Sequence, residues 1–139
     1  MTDASSTPAV PVTIHRGDYR PPDWQVPDVA LDFALAVEAT RVAAALSVVR
    51  QADAPTPLVL RGDGLTPAAV RVDGEDWNDW RMDGADLIVD LGERTAATVE
   101  IDTLIHPASN TQLMGLYASN GMLCTQCEAE GFRRITFHP

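Results

Sequence analysis

The residues of this 139-residue chain that could do chemistry gather near its carboxyl end, in Cys124-Thr125-Gln126-Cys127-Glu128-Ala129-Glu130, followed by Arg133 and Arg134. Two carboxylates two residues apart share a face in a strand, whereas an irregular loop aims them differently. A carboxylate in a cleft suits an ammonium group, because ionised oxygens accept strong hydrogen bonds from a charged donor. The competing reading is a solvated acidic pair, and Arg133 and Arg134 stand close enough to neutralise one of the two. Cys124 and Cys127 form the one Cys-x-x-Cys of the chain. A four-thiolate zinc site needs a second such pair, and completing this one with His106 or His138 requires tertiary proximity. Thiol redox chemistry needs a helix amino terminus after the motif, and Glu128-Ala129-Glu130-Gly131 starts a helix badly. Both cysteines are therefore expected to be small buried side chains, with redox exchange and metal binding as the alternatives. His15, His106 and His138 are isolated, and the chain has no His-Glu-x-x-His, no serine nucleophile elbow and no phosphate-cradling glycine loop. No complete catalytic constellation is present, and no metal or cofactor site is expected within the chain.

The elements that must position these residues follow from periodicity. Val29, Leu31, Phe33, Leu35 and Val37 alternate with Ala30, Asp32, Ala34, Ala36 and Glu38, which predicts a strand with one face buried. Val42, Ala44, Leu46 and Val48 carry the same period across Thr40 to Arg50. The alanines there also favour helix, but a short link at Glu38 to Thr40 suits a hairpin. Leu58 to Leu60 begins a short strand stopped by Arg61-Gly62-Asp63-Gly64. Val70 and Val72 share a face ahead of the turn pair Asp73-Gly74. Trp77 and Trp80 flank Asn78 and Asp79 and are expected to pack over a sheet edge. Asp83-Gly84 opens another turn before Leu87 to Val89. A longer strand over Ala97 to Ile105 places Val99, Ile101, Thr103 and Ile105 on one side, until Pro107 to Asn110 breaks it. Leu113 to Tyr117, Leu123 to Thr125 and Ile135 to Phe137 are three further candidate strands, interrupted by Gly115, Gly121 and Gly131. Six or more short strands between Gly, Pro and Asp turns predict an all-β, antiparallel sandwich or saddle with irregular loops.

Size and charge narrow the function. At 15.0 kDa one domain with a real core fits, and 45% hydrophobic residues are ordinary for a folded chain. The first thirteen residues, MTDASSTPAVPVT, read as a flexible lead-in, without the basic start or apolar stretch of a signal peptide. His15 to Pro27 is rich in proline and reads as an extended arm. The division expected is a lead-in over residues 1–18 and a domain over 19–139. A net charge of −10, with ten scattered arginines and no lysine, argues against nucleic acid and anionic membranes as partners. No run is long and apolar enough to span a bilayer. A cytoplasmic location is the expectation.

The stretch Gly115-Leu-Tyr-Ala-Ser-Asn-Gly-Met-Leu-Cys-Thr-Gln-Cys-Glu-Ala-Glu-Gly-Phe-Arg133 closely resembles the amino-terminal domain of the gluzincin zinc aminopeptidases, the aminopeptidase N family. The core Thr125 to Arg133, TQCEAEGFR, is highly specific. The likeness runs upstream through HPASNTQLMGLY to YRPPDWQVPDVALDF, covering Tyr19 to Pro139. The resemblance implies a larger parent with four domains, of which this is the first. Its zinc is held by His-Glu-x-x-His and a downstream Glu in the second domain, beside a Gly-x-Met-Glu-Asn segment that binds the peptide. On the same implication Glu128 helps hold the α-ammonium group of a peptide substrate, and Gln126 lines the pocket for its first side chain. Cys127 has no catalytic duty, and Glu130 serves local structure. The implied partners are peptides with free amino termini and the intramolecular catalytic domain. A chain ending at Pro139 would be truncated from that enzyme, inert by itself, with the face that packs on the catalytic domain uncovered. The alternative is a stand-alone β-rich protein-interaction domain.

Overall fold

The computed structural model describes residues 12–139. Most of the expected lead-in, residues 1–11, lies outside the described residues. Val12 to Asp18 is exposed, and Arg16–Asp18 makes one turn of 3-10 helix where an extended arm was expected.

Ten strands follow among the described residues, β1 (Trp24–Ala34), β2 (Thr40–Arg50), β3 (Leu58–Arg61), β4 (Pro67–Val72), β5 (Glu75–Asp76), β6 (Trp80–Asp83), β7 (Asp86–Val89), β8 (Ala96–Ile105), β9 (Gly115–Ser119) and β10 (Met122–Gln126). They form three antiparallel sheets, in the orders β1-β2-β8-β4-β5, β3-β7-β6 and β9-β10. The all-β, antiparallel sandwich-like expectation holds.

The period of two in β2 does what a strand period must. Thr40, Val42, Ala44, Leu46 and Val48 are buried on one face, and Arg41, Ala43, Ala45 and Ser47 occupy the other. The helical alternative is excluded, since ten residues of β2 pair in register with β8, from Thr40 opposite Ile105 to Val49 opposite Ala96. Val42, Leu46, Val48, Val70, Val72, Val99 and Ile101 of the large sheet meet Leu58, Leu60, Leu87 and Val89 of the three-stranded sheet in one core. Each such aliphatic side chain, fully buried, contributes roughly 1.5–3 kcal/mol.

β1 departs from its expected bounds. It begins at Trp24, inside the proline-rich stretch, and ends at Ala34, so Leu35 and Val37 lie beyond it and are exposed. The strand is a sheet edge, and Val29, Leu31 and Phe33 are only half-buried against the core. The link to β2 is tied by Thr40, whose hydroxyl donates to the Ala36 carbonyl at 2.7 Å and accepts the Ala36 N–H.

Two hairpins use tight turns with positive φ at both central residues. Asp73 (51°) and Gly74 (84°) join β4 to β5, and Asn120 (49°) and Gly121 (78°) join β9 to β10. Gly121 is thus the hairpin turn itself and not an interruption. Trp80 lies on the edge strand β6, half-buried, while Trp77 donates its indole N–H to the Asp90 carbonyl and lies under the Arg94 guanidinium at 4.8 Å.

Ile135 to Phe137 is no strand. A 3-10 turn over Gly131–Arg134 precedes it, and only His138 makes a bridge, exchanging backbone hydrogen bonds with Arg61 at the edge of β3. Its apolar residues serve packing instead, since Phe137 is fully buried and Ile135 nearly so. Gly62 lies against the Phe137 ring, where an added Cβ would stand 2.6 Å from the ring edge.

Candidate functional site

The segment singled out by chemistry, Gln126 to Glu130, is a loop that leaves the end of β10 and returns at Gly131. All residues from Thr125 to Glu130 are exposed. The Gln126 Oε1 accepts the Glu128 backbone N–H at 3.0 Å, which fixes the two residues relative to each other. Gly131 N–H donates to the Cys127 carbonyl at 3.0 Å and closes the loop. The Glu128–Ala129 peptide bond is cis.

The base of the loop is held by two glycines against each other. A Cβ on Gly131 would stand 2.2 Å from the Gln126 carbonyl oxygen and 3.1 Å from the Gly115 nitrogen. A Cβ on Gly115, where φ is +74°, would meet the Arg134 Cβ at 2.9 Å and the Gly131 carbonyl at 3.2 Å. Gln126 is also the register partner of Gly115 in the β9-β10 pair. The return segment is pinned by Asp63, whose N–H donates to the Arg133 carbonyl at 2.7 Å and whose carboxylate accepts from Arg134 at 2.7 Å. Upstream, the Asn110 side chain donates to the carbonyls of Met114 and Leu116, setting the start of β9. Sequence reasoning saw Gly115 and Gly131 only as interruptions and Asp63 only as a turn residue. The pairing of the two glycines is a tertiary contact with no local signal.

The charges resolve as follows. Arg133 takes Glu130 at 3.5 Å and Arg134 takes Asp63, so Glu128 makes no ion pair among the described residues. A cavity of about 250 Å³ beside the loop is lined by Arg61, Asp63, Met114, Glu130 and Arg133, and by neither Gln126 nor Glu128. The two candidate residues lie together on an exposed edge and enclose nothing by themselves.

The cysteines correct an expectation. Both are free thiols, Cys124 half-buried and Cys127 exposed, so neither is a packed core side chain. Cys124 lies within the two-stranded sheet and Cys127 just past its end, on the exposed loop. The donor set does not fit zinc. Among the described residues no group of three or more His, Cys, Asp and Glu is placed to hold a metal ion. His106 Nδ1 is 2.9 Å from the Glu38 carbonyl, and His138 bridges to Arg61 of β3. No helix among the described residues is long and apolar enough to cross a membrane.

The fold and the exposed loop define an all-β domain homologous, over most of its length, to a fraction of a much larger aminopeptidase. Aminopeptidase N of Escherichia coli (strain K12) is 44% identical over 129 residues, which are 92% of this chain and 15% of that protein. Aminopeptidase N of Haemophilus influenzae is 42% identical over 125 residues, 88% of this chain and 14% of that protein. Among solved structures, Legionella pneumophila aminopeptidase A in complex with aspartic acid matches with a TM-score of 0.78 and 27% identity, across 88% of this chain and 15% of that one. Native yeast LTA4 hydrolase shares the fold, with a TM-score of 0.68 at 16% identity, across 84% of this chain and 20% of that one. No protein-family model matches the chain. The chain spans about 15% of the length of the aminopeptidases it matches in sequence.

Proposed function

We propose that residues 19–139 are the amino-terminal domain of a zinc aminopeptidase that removes amino-terminal residues from peptides, acting in the cytoplasm. In that role Glu128 holds the α-ammonium group of the substrate and Gln126 lines the pocket for the first side chain. The single observation that carries the reading is the fate of the charges around the motif. Both arginines that follow it are engaged with other carboxylates, which leaves Glu128 exposed and without an ion pair among the described residues.

Such a carboxylate has a use only when something beside it completes a site. An ammonium group held by charge-assisted hydrogen bonds fixes the amino end, sets the first peptide carbonyl at one place and excludes internal peptide bonds. The zinc that polarises this carbonyl would be supplied by the adjoining catalytic domain, since the described residues offer no ligand cluster for it. Peptides with free amino termini and that catalytic domain are then the partners.

The test is Glu128→Gln in the longer polypeptide that carries His-Glu-x-x-His. Loss of the charge should lower kcat/KM for free-amine peptides by about 10- to 100-fold, the range for one charge-assisted hydrogen bond. Unchanged kcat/KM in that variant rejects the assigned role.

A further inference from the structure

We propose that Leu113 is the apolar anchor by which this domain docks on the adjoining catalytic domain of the longer polypeptide, at the foot of the Gln126–Glu128 loop. The inference rests on the aminopeptidase reading and adds to it the surface through which the two domains meet.

Leu113 is both strained and exposed. Its φ of +57° lies in the left-handed region, where the Cβ of an ordinary residue crowds the backbone and Gly or Asn fits better. The residue is 56% exposed, so burial within its own domain does little to offset that cost. Asn110 holds the turn instead. Its side-chain N–H groups donate to the Met114 carbonyl at 2.8 Å and the Leu116 carbonyl at 2.9 Å, and its side-chain oxygen accepts the Gln112 N–H at 3.1 Å. Three bonds from one side chain fix the residues on either side of Leu113 and leave the leucine itself to solvent. Backbone strain kept at an exposed apolar residue marks a contact with something outside the domain.

Position decides the partner. Gly115, two residues on, is the register partner of Gln126 and stands against Gly131, so Leu113 leads directly into the base of the loop. More apolar surface lies nearby. Arg41 pairs with Ala34 on one side and Leu104 on the other, which places exposed Leu104 at the same end of the large sheet as exposed Leu35 and Val37. The Ala108 N–H donates to the Val37 carbonyl at 2.9 Å and ties that end to the 3-10 turn Pro107–Ser109, which immediately precedes Asn110. A cavity of about 210 Å³ between Leu104 and Asn110 is lined also by Leu116 and Arg134. A second copy of the chain is a poor occupant, since a net charge of −10 on each repels the other. The matched part is 15% of Escherichia coli aminopeptidase N, so most of such a protein is available to cover this end. On the role proposed for Glu128, the catalytic domain must stand beside the same loop.

The test is hydrogen exchange of the amides from Gln112 to Leu116, read by mass spectrometry in the 139-residue chain and in the longer polypeptide that carries His-Glu-x-x-His. Docking should slow their exchange in the longer polypeptide by about 10- to 100-fold, the factor that burying one leucine supplies. Leu113→Asn should remove most of this difference. In the 139-residue chain the same change should raise Tm by about 2–4 °C, because asparagine tolerates the left-handed backbone. Met122→Asn is the control, a similarly exposed apolar residue at the opposite end of the β9-β10 hairpin, and it should leave the difference intact. Equal exchange in the two contexts overturns the proposal, as does an equal loss of protection with Met122→Asn. A Tm of the chain lowered by Leu113→Asn shows that Leu113 packs within its own domain and overturns it too. Protection that grows with the concentration of the 139-residue chain assigns the surface to a second copy and does the same. The readout needs no activity, so these outcomes stand apart from the Glu128→Gln result that judges the aminopeptidase reading.

Discussion

Replacing Gly131 by alanine tests whether the loop base positions Gln126 and Glu128. The added Cβ would stand 2.2 Å from the Gln126 carbonyl oxygen, where ordinary contact is 3.4–4 Å. Backbone cannot swing aside as a side-chain tip can, so the loop and the β10 end must separate by at least about 1 Å. Two effects compete. Alanine narrows the unfolded ensemble and stabilises by about 0.4–1 kcal/mol. Overpacking against fixed atoms costs about 1–3 kcal/mol. The clash wins, for a net loss of about 0.5–2 kcal/mol, or a fall in Tm of roughly 2–8 °C. Urea unfolding and thermal melts of the chain measure this. Gly17→Ala is the control, since nothing lies within 4 Å of its added Cβ, and it should be neutral or slightly stabilising. NMR should place the largest shifts at Gln126, Cys127, Glu128 and Gly115, leaving the β2-β8 ladder unmoved. On the role proposed for Glu128, a 1 Å displacement of that group in the longer polypeptide should cost on the order of 100-fold in kcat/KM. An alanine variant with the stability and the loop amide shifts of the wild type would refute the argument that this contact sets the loop.

Two further predictions concern groups the proposed function leaves aside. Asp102 is 7% exposed on the outer face of the large sheet, where burial pushes its pKa up but Arg41 at 2.7 Å and Arg71 at 3.5 Å outweigh it and hold it below the ordinary carboxylate value. Because the folded value is the lower one, its contribution is complete above about pH 4 and is lost as pH falls through the folded pKa. Asp102→Asn should cost about 1–3 kcal/mol at pH 7 in urea melts, and the gap from wild type should narrow toward pH 2; a gap constant with pH excludes the charge as its source. Labelling of the native chain with an aromatic disulfide should modify the exposed Cys127 quickly and the half-buried Cys124 at least about tenfold more slowly, with both rates equal in denaturant. Equal native rates would show that β9-β10 does not shield Cys124.

What could be read from the sequence follows the range of the interactions involved. Val42, Ala44, Leu46 and Val48 report their own burial, because a strand in a sheet covered on one face imposes a period of two on its own residues. The same signal in β1 was misleading at its end. Leu35 and Val37 continue the alternation, yet the strand stops at Ala34, since where pairing ends depends on β2 and the Thr40 tie. Asn120-Gly121 carries the same local turn signal as Asp73-Gly74, yet the glycines around it make the last thirty residues look broken where β9 and β10 in fact pair. Phe137 and Ile135 announce apolar burial but not its form, because a bridge to Arg61 and packing on Gly62 replace a ladder. The loop itself shows the sharpest division. That Arg133 or Arg134 could neutralise one of Glu128 and Glu130 was legible from their nearness in the sequence. Which of them stays free was not, because it turns on Arg134 reaching Asp63, seventy-one residues away, while Arg133 stays within its own 3-10 turn at Glu130. The same long-range bond therefore does two things. It pins the return of the loop, and it commits Arg134 to a carboxylate other than Glu128.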